Sequence, residues 1–340
     1  MRYVIIGGGA IGGVLGARLA QNDGQHPPLL IVRGEHGAVI ARDGLRLRTP
    51  DEDVTVRPEV ASGPDGVQLR SDDVLVLAVK TQQVQVALQQ WVDAPVVDDA
   101  GKRVGTAGEL LPVLLAMNGV ESERLALRLF ARVYGACVWM PAVHLVPGEV
   151  ISRIGPTSGT FIIGRYSAEL EATDREVLHA LAADWGKSSF TIHIVDDVMR
   201  WKYAKLLGNL ANALQALVKS GDDFGALAGR LRAEAEEVYR AAGIVWASEA
   251  EEAAERGDVF SIRPVPGTPS DLGGSTWQSF ARGAGSVETD YLNGEIALLA
   301  RLHGVRAPLN ETVQRLAREV AGSGAGVGSM TAAELESLLP

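Results

Sequence analysis

The sequence has a single cysteine and no excess of positive charge, and both shortages exclude classes of structure or partner. With Cys137 as the lone thiol, no intrachain disulfide or cysteine-based zinc site can form, and a reducing, cytoplasmic compartment is expected. A net charge of −10 argues against nucleic acid and anionic membrane as partners. No apolar run reaches transmembrane length, and no cluster of histidine and cysteine indicates a metal site.

The chain does contain enough apolar sequence for a large core. Its 340 residues are 46% hydrophobic, and that length favours two domains. Strand-like and helical runs alternate up to about residue 195, after which the pattern is almost entirely helical. Continuous apolar strands such as 74–79 suit a parallel sheet covered on both faces. The predicted domains are therefore a doubly wound α/β domain over 1–195 and a helical domain over 196–340.

The segments between the main elements also have recognisable patterns. Residues 93–109 are polar and glycine-rich, which predicts a long surface loop. Residues 153–163 resemble a hairpin that ends the sheet region, and 190–197 are expected to hold the last strand. Residues 200–217 are predicted to form one helix.

A glycine-rich motif follows the first predicted strand. Gly7, Gly9 and Gly12 form GxGxxG at the start of a helical pattern. Gly7 permits the tight turn, Gly9 lets the backbone approach a pyrophosphate, and Gly12 lets the helix pack on the strand. Phosphates would then meet the N–H groups of the first helical turn, which contains Ala10 and Ile11. The motif predicts a nucleotide-binding turn.

The end of the second predicted strand bears on which dinucleotide is bound. A chain that selects NAD usually carries Asp or Glu there, whereas this one has Arg33 followed by Gly34. A guanidinium would pair with a 2′-phosphate, which favours NADPH. Glu35 nearby weighs against this choice, and a solvated surface arginine is the alternative.

Polar residues follow two further apolar strands. Lys80 comes after "VLVLAV" and Asn118 after "VLLAM". The carboxyl ends of parallel strands face the ligand in open α/β sheets, so both side chains are expected to contact cofactor or substrate. The alternative is a strand-end polar residue without a role.

A polar stripe interrupts the predicted helix over 200–217. Lys205, Asn209 and Asn212 follow one another at steps of four and three residues, which stack on one helix face. A buried ammonium or amide needs a partner, so the stripe is either solvated or lines a pocket. Lys202 shares a face with Asn209 as well, and is an alternative to Lys205.

Taken in order, the motifs resemble the ketopantoate reductase family. The resemblance rests on the N-terminal GxGxxG, "LAVKTQQ", "AMNGV", "KLLGN", "GSTWQ" and "VETDYLNGE" followed by "HGVRAPLN", and it covers nearly the whole chain. It implies a Rossmann-type domain joined to an all-helical domain like the C-terminal one of 6-phosphogluconate dehydrogenase, with the active site between them. The implied reaction is NADPH-dependent reduction of a small 2-keto acid, 2-dehydropantoate, to (R)-pantoate on the route to pantothenate and coenzyme A.

The resemblance also implies roles for individual residues. Lys205 corresponds to the catalytic lysine and Glu288 to the active-site glutamate. The implied substrate contacts are Asn118, Asn209 and Ser275, and Asn212 is expected to contact the substrate because it belongs to the same polar stripe. The implied cofactor contacts are Gly7, Gly9, Ala10, Ile11, Gly12, Arg33, Lys80 and Asn118.

Two departures from the family pattern bear on the substrate. The family's second helix asparagine lies eight residues after the lysine, whereas Asn212 lies seven after Lys205, and the serine segment aligns only with a one-residue shift, which leaves Thr276 as an alternative to Ser275. A reductase of another 2-keto acid or of an opine-type substrate is therefore one alternative function. A non-catalytic NADPH-binding regulator is another, and a homodimer is an open alternative to a monomer.

Overall fold

The protein is described here by a computed structural model, which covers residues 1–22, 27–167, 169–257, 261–269, 273–281 and 288–340. The strands are β1 (Arg2–Ile6), β2 (Leu29–Ile31), β3 (Leu45–Arg48), β4 (Asp53–Val56), β5 (Glu59–Ala61), β6 (Leu69–Arg70), β7 (Asp73–Leu77), β8 (Pro95–Val97), β9 (Arg103–Thr106), β10 (Pro112–Ala116), β11 (Arg132–Trp139), β12 (Ala142–Val143), β13 (Glu149–Ser152), β14 (Gly159–Arg165) and β15 (Phe190–Ile194).

The helices follow in the same chain order. They are α1 (Ala10–Gln21), α2 (Gly34–Asp43), α3 (Val84–Trp91), α4 (Ala107–Leu110), α5 (Ser122–Leu127), α6 (Ala172–Lys187), α7 (Val198–Asn209), α8 (Asn212–Leu217), α9 (Gly225–Ala242), α10 (Glu249–Arg256), α11 (Ser275–Ala281), α12 (Asn293–Leu302), α13 (Pro308–Ser323) and α14 (Ala332–Ser337). Short 3₁₀ helices cover Thr81–Gln83 and Glu288–Tyr291.

The chain divides into two compact units. The first comprises Met1–Trp201 together with Ala250–Thr268, and the second comprises Lys202–Glu249 together with Pro269–Pro340. The sequence pattern placed its boundary after residue 195, whereas the chain passes between units within α7. The segment Ala250–Thr268 is held on the first unit by Arg263, whose guanidinium pairs with Asp51 at 2.8 Å.

A mixed eight-stranded sheet forms the centre of the first unit, in the order β15-β14-β11-β10-β7-β1-β2-β5. The strands from β5 to β11 are parallel, whereas β14 is antiparallel to β11. Successive residues of β1 pack into different cores, with Tyr3 and Ile5 in one and Val4 and Ile6 in the other. Both faces of the sheet are therefore covered, which confirms the predicted doubly wound α/β domain.

The long surface loop predicted over 93–109 is wrong, because this segment contains β8, β9 and α4. β8 and β9 pair in antiparallel register, with Pro95 opposite Thr106. The turn between them is stabilised by Asp98, whose carboxylate accepts hydrogen bonds from the N–H groups of Ala100 and Lys102 at 3.0 and 2.9 Å. Strands this short have too little alternation of apolar residues to stand out from a loop.

The hairpin predicted over 153–163 is also wrong. β13 ends at Ser152 and pairs with β3 and β12, whereas β14 begins at Gly159 and pairs with β11 and β15. The strand-like pattern was present, but the two strands belong to different sheets. The last strand, expected within 190–197, is confirmed as β15, which pairs with β14 in parallel register.

The described part of the second unit is helical apart from connections and an isolated bridge. α12 packs on α9 and α13, and α8 packs on α11 and α13. α9 is followed by Gly243 as its C-cap, with a φ of 68° in the left-handed region. No described helix of the chain has both the length and the apolar content of a membrane span.

Candidate functional site

The turn after β1 is built so that glycine is required at two positions. Gly7 has a φ of 109°, and a Cβ atom there would lie 2.6 Å from the carbonyl oxygen of Ala78. A Cβ atom on Gly12 would overlap the carbonyl oxygen of Gly7. The turn and the first helix are therefore packed as closely as their backbones allow.

Gly9 differs from these two glycines because the space beside it is open. It is the N-cap of α1, and a Cβ atom there would meet nothing within 4 Å. Ala10 and Ile11 begin the helix, and its first turn carries no acidic residue. The N-terminus of α1 thus has the positive end of the helix dipole, an accessible backbone and open space beside Gly9. This arrangement fits the pyrophosphate of a dinucleotide.

Arg33 occupies the end of the second strand as predicted from the sequence. It is the extended N-cap residue of α2, and its side chain is exposed. Within the described residues, its guanidinium makes no hydrogen bond or ion pair, and it is not paired with Glu35 in the first turn of α2. An unpaired guanidinium beside a helix N-terminus fits a phosphate on the ribose.

Lys80 and Asn118 lie at the same edge of the sheet as the glycine turn. β1, β7 and β10 are parallel neighbours, with Ile6 opposite Leu77. Lys80 follows β7 and caps the 3₁₀ helix, and Asn118 follows β10. Both side chains are half-buried. The first unit therefore brings these two residues together with the glycine turn.

In the second unit, the polar stripe does not lie on one continuous helix, which corrects the prediction for 200–217. Lys205 and Asn209 belong to α7, which ends at Asn209, and Asn212 begins α8. The carbonyl of Leu210, between the helices, accepts a hydrogen bond from Asn293 at 3.3 Å. Asn209 and Asn212 nevertheless stay close, since their side-chain amides are 3.5 Å apart.

The start of α11 lies beside Asn212. The N–H of Gly274 donates to the side-chain oxygen of Gln215 at 2.8 Å, and a Cβ atom on Gly274 would lie 3.4 Å from the Asn212 oxygen. Ser275 and Thr276 follow as the first residues of α11. The structure thus brings Asn209, Asn212 and the candidate serine together.

Polar atoms in this cluster are buried without partners. The side-chain nitrogen of Asn209 and the hydroxyls of Ser275 and Thr276 have no hydrogen-bond partner among the described residues. An unsatisfied buried polar group costs about 1–3 kcal/mol, so these atoms fit a ligand rich in oxygen. Thr276 is 1% exposed and Ser275 is half-buried, and both hydroxyls are therefore candidates.

Glu288 and the two lysines differ in burial. Glu288 begins the 3₁₀ helix Glu288–Tyr291 and is 5% exposed. Lys202 is 3% exposed, whereas Lys205 is half-buried. The hydroxyl of Thr289, next to Glu288, has no partner among the described residues. Of the three charged groups, Lys205 retains the most solvent access.

Comparison with known proteins matches two family models, one to each half of the sequence. A family model described as "Ketopantoate reductase PanE/ApbA" matches residues 3–168, and one described as its "C terminal" part matches residues 197–321. The chain belongs to the ketopantoate reductase family. It is therefore an oxidoreductase by family membership, as predicted from its motifs.

Individual members of the ketopantoate reductase family are similar over almost the whole chain. A 2-dehydropantoate 2-reductase of Caulobacter vibrioides is 28% identical, over 92% of this chain and 96% of that protein. The crystal structure of a PanE/ApbA family ketopantoate reductase from Ralstonia eutropha JMP134 has a TM-score of 0.74 at 26% identity, covering 95% of this chain and 99% of that one. The predicted fold class is confirmed.

The ketopantoate reductase fold is shared with a dehydrogenase of different name. A ternary structure of D-mandelate dehydrogenase with NADH and anilino(oxo)acetate has a TM-score of 0.73 at 20% identity, and it covers 96% of this chain and 100% of that one. At this identity the likeness concerns the fold alone.

Sequence reasoning missed a buried polar network in this ketopantoate reductase family member. Asn293 donates to the side-chain oxygen of Asn310 at 3.0 Å, and Asn310 donates to Glu234 at 2.9 Å. The carboxylate of Glu234 also accepts from two N–H groups at the start of α13. Two of these residues stood in motifs quoted for the resemblance, "LNGE" and "APLN". An asparagine at the start of a largely apolar helix, as Asn293 is in α12, was the available signal.

Proposed function

We propose that the chain catalyses the NADPH-dependent reduction of 2-dehydropantoate to (R)-pantoate. The observation that carries the proposal is the match of both family models, one over residues 3–168 and one over 197–321. The glycine turn of the first unit and the partnerless polar atoms of the second support it. The cytoplasmic location stays a prediction, and the homodimer stays an alternative to a monomer.

The first unit supplies the proposed cofactor site. Bound NADPH would supply the hydride that reduces the keto group. Gly9 and the first turn of α1 hold the pyrophosphate, and Arg33 pairs with the 2′-phosphate. Lys80 and Asn118, at the ends of neighbouring strands, orient the nicotinamide ribose and the substrate.

The second unit supplies the proposed catalytic groups. As the 2-keto carbon is reduced, negative charge develops on its oxygen, and the Lys205 ammonium stabilises that charge and delivers the proton. Asn209, Asn212 and Ser275 place the carboxylate and the carbonyl of the substrate. Glu288 either orients Lys205 or hydrogen-bonds the distal hydroxyl of the substrate.

One observation favours a second candidate, a reductase of a different 2-keto acid. The position eight residues after Lys205 is Ala213, which is 1% exposed and carries no amide. Asn212 instead begins a separate helix. The wall of the substrate pocket can therefore differ from that of other family members.

The test of the proposed function compares 2-dehydropantoate with matched analogues in an NADPH-oxidation assay. The analogue 3,3-dimethyl-2-oxobutanoate has the same skeleton as 2-dehydropantoate but lacks the distal hydroxyl. If the site hydrogen-bonds that hydroxyl, kcat/KM for the analogue should be lower than for 2-dehydropantoate by at least about a hundredfold. Pyruvate and phenylglyoxylate should be poorer still. A better substrate among these acids would favour the second candidate, and NADPH binding without reduction of any of them would favour a regulator.

Replacing Arg33 with glutamine should change the choice of cofactor. We expect the Kd for NADPH to rise about 10- to 100-fold, because a charge-assisted bond to the 2′-phosphate is lost. The Kd for NADH should stay within about twofold. Arg128→Gln is a suitable control, since Arg128 is also an exposed arginine of the first unit. An equal loss for both dinucleotides would contradict the role assigned to Arg33.

A further inference from the structure

A histidine outside every recognised motif makes a hydrogen bond to the backbone of the glycine turn. His36 lies in the first turn of α2, three residues after Arg33. Its Nε2 atom is 2.8 Å from the carbonyl oxygen of Gly8, in the middle of the GxGxxG motif. Its Nδ1 atom accepts a hydrogen bond from the N–H of Gly148 at 2.8 Å. The ring therefore connects the glycine turn to the loop before β13.

These two partners define the protonation state of the ring. Because Nδ1 accepts the N–H of Gly148, the ring proton must reside on Nε2, where it is donated to Gly8. A second proton on Nδ1 would face the Gly148 N–H. Burial lowers the pKa of His36, against a smaller raising effect of the Gly8 carbonyl. The structure thus calls for a neutral ring in a single tautomer.

The position of the ring is itself tightly constrained. The ring of His144 packs against it at a tilt of 35°, with 4.0 Å between centroids. The Nδ1 atom of His144 is 3.0 Å from the carbonyl oxygen of Glu149. Gly148 has a φ of 80°, and a Cβ atom there would overlap the side chain of Val39 on α2. The loop that carries the Gly148 N–H is therefore packed directly against the helix that carries His36.

The contact with Gly8 has a consequence for Gly9. The carbonyl of Gly8 and the N–H of Gly9 belong to one planar peptide group, which is trans and makes them point in opposite directions. Glycine on both sides of a peptide group leaves that group unusually free to rotate. A donor that holds the Gly8 carbonyl therefore fixes the direction of the Gly9 N–H as well.

We propose that His36 is a positioning residue for dinucleotide binding, which locks the Gly8–Gly9 peptide group in the orientation that the pyrophosphate requires. The inference rests on the proposed cofactor site. His36 therefore affects affinity for the pyrophosphate, which NAD⁺ and NADP⁺ share. His36 has no effect on the reduction step itself.

The test measures Kd for NADP⁺ and for NAD⁺ by titration calorimetry on the full-length chain and three variants. His36→Ala removes both hydrogen bonds, His36→Asn keeps an acceptor near the Nδ1 position, and His36→Gln keeps a donor near the Nε2 position. We expect His36→Ala and His36→Asn to weaken both dinucleotides about tenfold and His36→Gln to restore affinity to within about threefold of wild type. KM for NADPH should rise in parallel, with kcat within about twofold.

Matched controls and thermal melts separate this role from general destabilisation. His179→Ala alters an exposed histidine of α6 and should leave both Kd values unchanged. Loss confined to NADP⁺ would overturn the inference, because it would locate the effect at Arg33. Equal affinity of His36→Gln and His36→Asn, or wild-type affinity of all three variants, would also overturn it. A wild-type chain that binds neither dinucleotide would overturn the proposed function together with the inference.

Discussion

Replacement of Lys205 by alanine is expected to lower kcat by about 10²- to 10⁴-fold, the range typical of a lost general acid. The physical reason is that charge on the keto oxygen would develop with no ammonium to stabilise or protonate it. Kd for NADP⁺ should stay within about twofold, because the glycine turn and Arg33 belong to the other unit. Steady-state NADPH oxidation and calorimetric titration measure the two quantities.

Two further lysines make this experiment decisive. Lys219→Ala changes an exposed lysine of the same unit and should leave kcat unaltered. Lys202→Met removes the alternative ammonium, which is 3% exposed. It should lower the melting temperature, because it removes a buried charge from its partners, and it should leave most of kcat. If Lys202→Met abolished turnover in a folded protein while Lys205→Ala remained active, the catalytic assignment would pass to Lys202.

The second large effect is expected when alanine replaces either of two glycines in the glycine turn, Gly12 or Gly9. Gly12→Ala should lower the free energy of unfolding by about 3 kcal/mol, because its methyl group would overlap the carbonyl of Gly7. Dinucleotide binding should be lost with the helix packing. Gly9→Ala should change the free energy of unfolding by no more than about 1 kcal/mol, because its methyl group meets nothing within 4 Å and the smaller entropy of the unfolded chain offsets the poorer N-cap.

The two variants differ in what they reveal about the cofactor. Gly9→Ala should fold normally and still bind NADP⁺ at least about tenfold more weakly, because the methyl group fills the space into which a pyrophosphate must come. Denaturant titration and calorimetry together give both numbers. Wild-type affinity for NADP⁺ in Gly9→Ala would place the pyrophosphate elsewhere.

The parts of the fold that could be predicted are those fixed by neighbours in sequence. A β-branched run, a GxGxxG motif and an apolar helical period define β1, the turn and α1 without reference to distant residues. Motif order likewise anticipated the family and the helical second unit. The glycines at positions 7 and 12 are dictated by backbone contacts that recur wherever this turn is built.

The parts that could not be predicted depend on distant residues. β13 pairs with β3, about a hundred residues earlier in the chain, rather than with β14. The periodicity of a short segment carries no information about such a distant partner. The interruption between α7 and α8 involves the amide of Asn293, and a sequence pattern shows no such bond. His36 escaped notice for the same reason, because both of its partners are backbone groups.

The return of Ala250–Thr268 to the first unit has a consequence for how the protein is made and dissected. The nucleotide-binding half is incomplete until Thr268 has left the ribosome, so translation must produce much of the helical half before the first half can finish folding. Ile262 forms an isolated bridge with Ile154, and the N–H of Arg263 donates to the Arg153 carbonyl at 2.7 Å. A single cut in the gene therefore cannot yield either half intact, and a chimaera would have to graft this segment along with the sheet.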